Sequence, residues 1–491
     1  MTPGKGEGRA AKLPRFHPAT VIRELGDGEL PFTIADATCG VGGWGGTGGG
    51  KTSGTGRFLA LGYLGSAAEM GGIWLCAKPS EKDMALAWCR EAGREKDVFI
   101  FDASGEQRFN FLNWEVGQRS TGAGVTINVV ALLEDIITAL QPGKPTADGE
   151  GAFFEDSNHQ LLTQDVALVQ LAGYELSLAT MRDIVRSAPL SREQARDKEW
   201  QKESACWFFL EKARVRCESA DEDTQADYAE CRAYWLDDFA NLSEKTRSII
   251  TLMFTKLAAP FTMRPLRRLF CTDTTIAPEA TFDGKIIIID LSTQEWRLAG
   301  RMAALIWKYC WQVAVMRRAP AQPGEYLRPV FCWADEAAEN FLSRNDSEFQ
   351  AVARASAGCT VYLAQNINQY RKRLGDNDAF EALAANLQTK FFHQNTGPTN
   401  QWAAELLGQQ WERVTGINTG TTQPAAQELG QTTSVGVSVN EQHRFLVEPS
   451  VFTTLKRGGP AYDYEVEAVL YKGGQCFRNG LPYKRVLFCQ R

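Results

Sequence analysis

The chain has 491 residues, of which 44% are hydrophobic and 23% are charged, and its formal net charge is −6. This is more residues than one hydrophobic core ordinarily organises, so we expect a large α/β domain with at least one inserted or appended unit. The mild acidity excludes a uniformly basic, histone-like coat, although a pore or groove on an acidic protein can be locally basic.

The first segment, MTPGKGEGRAAKLPRF, is small and basic and lacks the apolar centre of a signal peptide. We predict a disordered basic tail over residues 1–28. No run in the chain approaches the roughly 20 apolar residues that a membrane helix needs. Twelve cysteines without a C-x-x-C pair, and only four histidines, argue against structural zinc and favour buried, reduced thiols. Together these features predict a cytoplasmic protein.

The next elements have the pattern of an α/β fold. GGIWLCAKP and DVFIFDAS are short apolar runs that end in turn residues, as buried parallel strands do. Helical patterns surround them at Lys82–Ala92 and Ile127–Leu140. The segment Gln141–Gly151 is a break rich in Pro, Gly and polar residues.

The pattern changes after this break. Residues 153–262 are predicted to be almost entirely helical, and strands return with the apolar run Gly284–Ser292, followed by a long helix over Trp296–Arg317. The stretch Thr415–Val439 is low in charge and rich in Thr and Gly, so we predict a long loop there. The sum is an α/β core over residues 29–148 and 263–491, interrupted by an inserted all-α domain over residues 149–262.

A glycine-rich run, GGTGGGKT, satisfies the phosphate-binding pattern G-x-x-x-x-G-K-[ST]. In this Walker A pattern, glycines let backbone N–H groups curl around the β-phosphate, the lysine neutralises β/γ oxygens, and the hydroxyl is a Mg²⁺ ligand. The predicted nucleotide-binding residues are Gly45, Gly46, Thr47, Gly48, Gly49, Gly50, Lys51, Thr52 and Ser53. A flexible glycine linker is the alternative, because the preceding residues are also glycine-rich and Gly54 and Gly56 weaken the following helix.

Polar residues follow two later apolar runs. VFCWADE places Asp335 where it can hold Mg²⁺ through water, and Glu336 where it can polarise an attacking water. CTVYLAQN ends in Gln365, which can sense a γ-phosphate. Arg354, between these runs, is a candidate arginine finger for a neighbouring subunit, although a helix-surface arginine is an equally good interpretation.

These segments, in this order, resemble the type IV coupling proteins of conjugation and secretion, the TraG/TraD-like members of the FtsK/HerA group of hexameric DNA-pumping ATPases. The segments GTGGGKTSGTG, CWADEAAENF and ARASAGCTVYLAQNINQY are similar to the family's Walker A, Walker B and arginine-plus-glutamine motifs. WLCAKPSEKD resembles a turn that usually reads DPKGE, but Ala77 stands in place of the aspartate. From this sequence we also expect no N-terminal membrane anchor of the kind common in the family.

The resemblance implies a RecA-like P-loop NTPase core with a mostly parallel sheet and helices on both faces. It further implies ATP and Mg²⁺ as cofactors, a homo-hexameric ring, and DNA held without sequence preference in a central channel. The residues that would act within one subunit are Lys51, Thr52, Asp335, Glu336 and Gln365, and Arg354 would act on the neighbouring subunit. The all-α domain is expected to recognise a protein cargo or DNA-processing partner, and a separate membrane protein could serve as anchor.

Three functions are therefore open. The first is an ATP-driven DNA translocase of the coupling-protein type, acting in conjugation or type IV secretion. The second is a soluble HerA-like DNA pump that works with a nuclease partner in defence, repair or packaging. The third, from a different class, is a nucleotide-gated scaffold that recruits proteins without pumping DNA.

Overall fold

A nine-stranded sheet forms the centre of the structure, a computed structural model that describes residues 13–25, 28–118, 125–140, 150–343, 345–375, 377–422 and 432–490. The strands are β1 (Val21–Leu25), β2 (Leu30–Thr33), β3 (Val41–Trp44), β4 (Gly71–Leu75), β5 (Val98–Asp102), β6 (Ile286–Asp290), β7 (Val330–Ala334), β8 (Gly358–Ala364), β9 (Thr389–Phe392), β10 (Gln409–Thr422), β11 (Thr432–Phe445), β12 (Glu465–Lys472) and β13 (Tyr483–Cys489). The central sheet has the order β13-β12-β9-β3-β8-β7-β4-β6-β5. All neighbours from β9 to β5 are parallel, and β12 and β13 add an antiparallel edge.

Helices cover both faces of this sheet, and further helices between β5 and β6 pack on one another. They are α1 (Ile34–Thr38), α2 (Arg57–Leu64), α3 (Ser80–Glu91), α4 (Phe111–Gly117), α5 (Thr126–Leu140), α6 (Glu150–Ala172), α7 (Leu178–Ser187), α8 (Arg192–Ala195), α9 (Lys198–Glu203), α10 (Ala205–Cys217), α11 (Glu222–Ala233), α12 (Phe239–Asn241), α13 (Glu244–Ala258), α14 (Leu266–Phe270), α15 (Thr293–Met316), α16 (Ala337–Asn340), α17 (Asn345–Val352), α18 (Ile367–Leu374), α19 (Asn377–Asn386) and α20 (Pro398–Leu407). None of the helices within the described ranges is both long and apolar enough to cross a membrane.

Strand β6 explains why the apolar runs of this sequence are continuous. Ile286 and Ile288 belong to the core on one face of the sheet, with α2 and α3, whereas Ile287 and Ile289 belong to the core on the other face, with α15. All four side chains are fully buried. A parallel strand covered on both sides needs apolar residues at every position, so the predicted strand is confirmed.

Between β5 and β6 the described part of the chain contains helices and no strand. Six of these helices begin at a Ser or Asp side chain that accepts a hydrogen bond from a backbone N–H of the first turn, namely Ser177, Ser191, Asp197, Ser204, Asp221 and Ser243. These caps divide the segment into short helices, of which α7, α10, α11 and α13 pack against α6. The bounds of the inserted domain at residues 149 and 262 stay a prediction, and the break at 141–149 lies outside the described residues.

The predicted long loop over Thr415–Val439 is wrong for its described parts, residues 415–422 and 432–439. Strands β10 and β11 form an antiparallel ribbon in which Ile417 pairs with Val437, and residues 423–431 lie outside the described part. Ile417 and Val437 are 66% and 63% exposed. Thr and Val have high strand propensity, but the many Thr and Gly residues of this stretch suggested a loop.

The predicted disordered tail over residues 1–28 is wrong for its last part. Val21–Leu25 forms β1, which pairs with β2 in a two-stranded sheet. Ile22 and Leu25 are buried in the same core as α2. Tertiary packing thus orders a strand too short to give a periodic signal. Residues 1–12 lie outside the described ranges.

Candidate functional site

Four loops meet at the carboxyl ends of the strands in the centre of the sheet. In the order β3-β8-β7-β4 the strands are parallel, so their carboxyl ends lie side by side. The glycine-rich run follows β3, Gln365 follows β8, Asp335 and Glu336 follow β7, and Lys78 comes shortly after β4. The carboxyl ends of parallel strands are where α/β folds place ligands.

The glycine-rich run is a hydrogen-bonded turn and not an extended linker. The backbone N–H of Gly45 donates to the carbonyl of Ala364 at 3.1 Å, and that of Gly46 donates to the carbonyl of Gln394 at 2.8 Å. Gly48 and Gly50 have φ angles of 70° and 81°, which other residues adopt only with strain. The sequence before the turn is glycine-rich, yet it forms the buried strand β3.

The helix after this turn starts irregularly. Thr52–Gly56 forms a π-helical turn before α2 begins at Arg57. Gly54 and Gly56 lie within it and weaken a regular start, as glycine does inside helices. The turn carries the hydroxyl of Thr52 to the carboxylate of Asp335, to which it donates a hydrogen bond.

The two carboxylates after β7 point into the same space. Asp335 and Glu336 are 1% and 4% exposed. Asp335 Oδ1 accepts the backbone N–H of Glu336 at 2.9 Å. Glu336 has a φ of 53°, the left-handed conformation that is rare outside glycine. Such strain at a buried acid is typical of functional sites.

The Glu336 carboxylate collects three donors on one oxygen. Its Oε1 lies 3.2 Å from Lys51 Nζ, 3.1 Å from Lys78 Nζ and 3.3 Å from Gln365 Nε2. Its Oε2 is buried and has no hydrogen-bond partner among the residues that the structure describes. Burial raises the pKa of Glu336, but the charges of Lys51 and Lys78 outweigh burial, and the net pKa lies below its ordinary value. Glu336 is therefore held as a carboxylate.

Two residues near this site were missed by the sequence reasoning. Lys78 contacts Glu336 directly. Glu81 is 4% exposed, and its carboxylate accepts the backbone N–H of Ala77 at 2.6 Å. Burial, and next the charge of Asp335, raise the pKa of Glu81 to about 8. The sequence feature that could have indicated both residues is the segment AKPSE, which directly follows a predicted strand. The family resemblance identified this segment as a turn but gave no role to its residues.

A buried histidine packs against the glycine-rich turn. His393 Nδ1 lies 3.2 Å from the carbonyl of Glu467, and Nε2 lies 2.9 Å from the hydroxyl of Thr55. The carbonyl can only accept, so Nδ1 carries the proton and Nε2 accepts from Thr55. Burial lowers the pKa of His393 to about 3, which keeps the ring neutral. A Cβ on Gly45 would lie 2.8 Å from His393 Cβ, so this glycine is required by close packing.

Arg354 does not join this cluster. It is exposed in a 3₁₀ turn, Ala353–Ser356, that precedes β8, whereas Gln365 follows β8. The seven residues of β8 separate the two side chains by roughly 20 Å at about 3.3 Å per residue. The structure brings together five of the predicted residues: Lys51, Thr52, Asp335, Glu336 and Gln365. Arg354 lies at the amino ends of the strands, on the other side of the sheet from this cluster.

The donor set suits a magnesium ion that is bound together with phosphates. Within the described ranges, no group of three or more His, Cys, Asp or Glu side chains is arranged to hold a metal. Magnesium in phosphate-transfer sites takes few protein ligands and keeps water and phosphate oxygens. The adjacent hydroxyl of Thr52 and carboxylate of Asp335 fit that requirement.

Comparisons with known proteins agree with this architecture. A family model described as the TraM recognition site of TraD and TraG matches residues 329–457. The bacterial conjugative coupling protein TrwB in its unbound monoclinic form is 14% identical, with a TM-score of 0.58 over 97% of this chain and 90% of that chain. The plasmid coupling protein TrwB in complex with the GTP analogue GDPNP is 13% identical, with a TM-score of 0.57 over 97% of this chain and 92% of that chain.

A third structure, the plasmid coupling protein TrwB in complex with ADP and Mg²⁺, is 13% identical, with a TM-score of 0.57 over 97% of this chain and 90% of that chain. The search among curated proteins gives no match. At this level of identity the structural likeness carries the fold, and the RecA-like P-loop NTPase fold is confirmed. The predicted resemblance to the TraG/TraD type IV coupling proteins is confirmed over residues 329–457 by the family model.

Proposed function

We propose that this protein is an ATPase of the coupling-protein type that moves DNA, or DNA with attached protein, through a ring of identical subunits. The observation that carries the proposal is the convergence of Lys51, Thr52, Asp335, Glu336 and Gln365 at the carboxyl ends of three neighbouring strands. The TrwB structures with GDPNP or with ADP and Mg²⁺ support a nucleotide and magnesium as the ligands of this site.

Each of these residues would have a distinct task in hydrolysis. The N–H groups of residues 45–50 and the Lys51 ammonium would bind the phosphates. Thr52 would ligate Mg²⁺, and Asp335 would hold it through water; the ion would supply charge neutralisation when bound. Glu336 would orient and polarise the attacking water. Gln365, which contacts Glu336 at 3.3 Å, would respond to the presence of the γ-phosphate.

The position of Arg354 supports a ring. Arg354 is exposed and lies at the amino end of β8, whereas Gln365 lies at its carboxyl end. Arg354 can therefore contribute to a nucleotide site only in another subunit. We propose a homo-hexamer in which Arg354 reaches the phosphates bound by the neighbour. Hydrolysis would remove the charge that holds this arginine, and the interface would loosen.

The cargo and its partners follow from the same proposal. DNA would be held in the channel through its phosphates, which makes the grip independent of sequence and sensitive to salt. A protein cargo or DNA-processing partner would dock on the all-α domain. The segment 329–457, which matches a family described as a TraM recognition site, is a second candidate for partner contact. A separate membrane protein could anchor the ring.

The test is steady-state ATP hydrolysis with and without single- and double-stranded DNA, together with the mass of the protein in solution. Strong stimulation by DNA and a ring-sized mass are expected. Hydrolysis that ignores DNA would favour the protein-recruiting scaffold. Co-purification with a nuclease, and not with a DNA-nicking relaxase, would favour a HerA-like pump in defence, repair or packaging.

A further inference from the structure

Lys78 has no role in the proposed hydrolysis, yet its ammonium lies closer to Glu336 than that of Lys51 does. The distances to Glu336 Oε1 are 3.1 Å for Lys78 Nζ and 3.2 Å for Lys51 Nζ. The Lys78 side chain is 37% exposed and the Glu336 side chain is 5% exposed. Lys78 therefore reaches from the rim of the site to a buried carboxylate.

The backbone beside Lys78 is fixed from two directions. The N–H of Ala77 donates to the carboxylate of Glu81 at 2.6 Å, and the carbonyl of Ala77 accepts the N–H of Gln294 at 3.1 Å. Partial burial lowers the pKa of Lys78, but Glu336 outweighs burial, and its net pKa lies above the ordinary value. Lys78 is thus a cation on a firmly held segment.

Nucleotide binding creates a need for this second cation. In the proposed function Lys51 turns to the phosphate oxygens, and its contact with Glu336 is then lost. Without Lys78, Glu336 would keep only the neutral amide of Gln365 as a side-chain donor. A buried carboxylate that loses its cation is strongly destabilised in place, and its side chain would move away from this position.

We infer that Lys78 is a positioning residue that holds the Glu336 carboxylate oriented toward the attacking water while Lys51 binds the phosphates. This inference rests on the proposed function. It assigns a task to a residue after β4, the neighbour of the Walker B strand, where the sequence departs from the family's turn at Ala77. Removal of Lys78 is expected to slow hydrolysis without weakening nucleotide binding.

The experiment compares Lys78→Ala, Lys78→Arg and the control Lys82→Ala in the full chain. Lys82 lies on α3 and pairs with Asp290 at 2.7 Å, with a side chain that is 32% exposed, so the control removes a similar lysine outside the site. The measured quantities are kcat and KM for ATP, and the melting temperature of each variant. Misplacing a reacting group costs about 100-fold in rate, so Lys78→Ala should lower kcat about 10- to 100-fold with KM unchanged. Lys78→Arg should recover most of the loss.

Each contrary result has one meaning. If Lys78→Ala keeps kcat within about twofold of the Lys82→Ala control, the role of Lys78 is refuted while the ATPase stands. If KM rises and kcat is kept, Lys78 binds nucleotide and does not position Glu336. An arginine variant as slow as the alanine variant, at equal melting temperature, also overturns the charge-based role. A wild-type chain that binds ATP but never hydrolyses it overturns the proposed function and this inference together.

Discussion

Asp165, in the core of the helical region, allows a sharp prediction about stability. Its side chain is fully buried, and neither carboxyl oxygen has a hydrogen-bond partner in the part of the chain that the structure describes. Burial raises the pKa of Asp165 well above its ordinary value of 3.8. The folded chain therefore keeps a proton on this residue at pH values where the unfolded chain has released it.

The sign and size of the pH effect follow from this difference. Above about pH 4 the folded state binds one more proton than the unfolded state, so the free energy of unfolding falls as pH rises. The slope is about 1.4 kcal/mol per pH unit and ends where the folded chain also loses the proton. Asp165→Asn has the shape of the neutral acid and no proton to lose, so its advantage over the wild type should grow by about 1.4 kcal/mol per pH unit.

The assay is urea unfolding of wild type and Asp165→Asn at several pH values, followed by circular dichroism. The asparagine leaves polar atoms in the same buried space, which adds an offset that does not change with pH. Asp227→Asn is the control, because Asp227 is exposed on α11 of the same bundle. Wild-type and Asp165→Asn curves that stay parallel at every pH would refute the reasoning, since Asp165 would then be ionised or hydrated in the folded chain.

The site makes three further predictions. Lys51→Ala should abolish hydrolysis, and Glu336→Gln should bind ATP but turn it over about 10²- to 10⁴-fold more slowly; robust turnover by both would reject the site. Inactive Arg354→Ala and Lys51→Ala subunits, when mixed, should regain activity, since about a quarter of the interfaces in a randomly assembled ring would carry both intact groups; no rescue at any ratio would count against a role in trans. Gly45→Ala should weaken binding of a fluorescent ATP analogue at least tenfold, roughly 1.4 kcal/mol, because its Cβ would lie 2.8 Å from His393 Cβ; unchanged affinity would show that the turn can yield.

The central site was predictable because its residues follow strands. Asp335 and Gln365 each come directly after a buried run, and Lys51 lies in the glycine-rich motif after β3. Parallel strands bring such positions together at the carboxyl ends of the strands. Lys78 and His393 obey the same geometry, since they follow β4 and β9. They were missed because one lysine or histidine after a strand is common, and only distances reveal which of them contact the site.

The strands were predictable where their side chains are buried, because burial imposes a hydrophobic pattern on the sequence. They were not predictable where the side chains are exposed. The run Ile286–Asp290 could only be a strand covered on both faces. The ribbon of β10 and β11 is exposed, so its strands lack the core contacts that impose a hydrophobic pattern, and its Val435, Val437 and Val439 alternate within a run of Thr and Gly. Composition indicated a loop there, while the alternation with period two was the correct signal.

The same geometry separates two residues that the motif places together. Arg354 and Gln365 are close in sequence and flank one strand, so the motif alone places them in one functional unit. Arg354 lies before the amino end of β8 and Gln365 lies after its carboxyl end. The two ends of this strand are about 20 Å apart at the rise of an extended strand. Gln365 contacts Glu336 in the candidate site of its own subunit, and Arg354 cannot reach that site. Arg354 therefore acts on a second subunit or has no part in hydrolysis, which makes the subunit-mixing experiment a test of the ring as well as of the arginine.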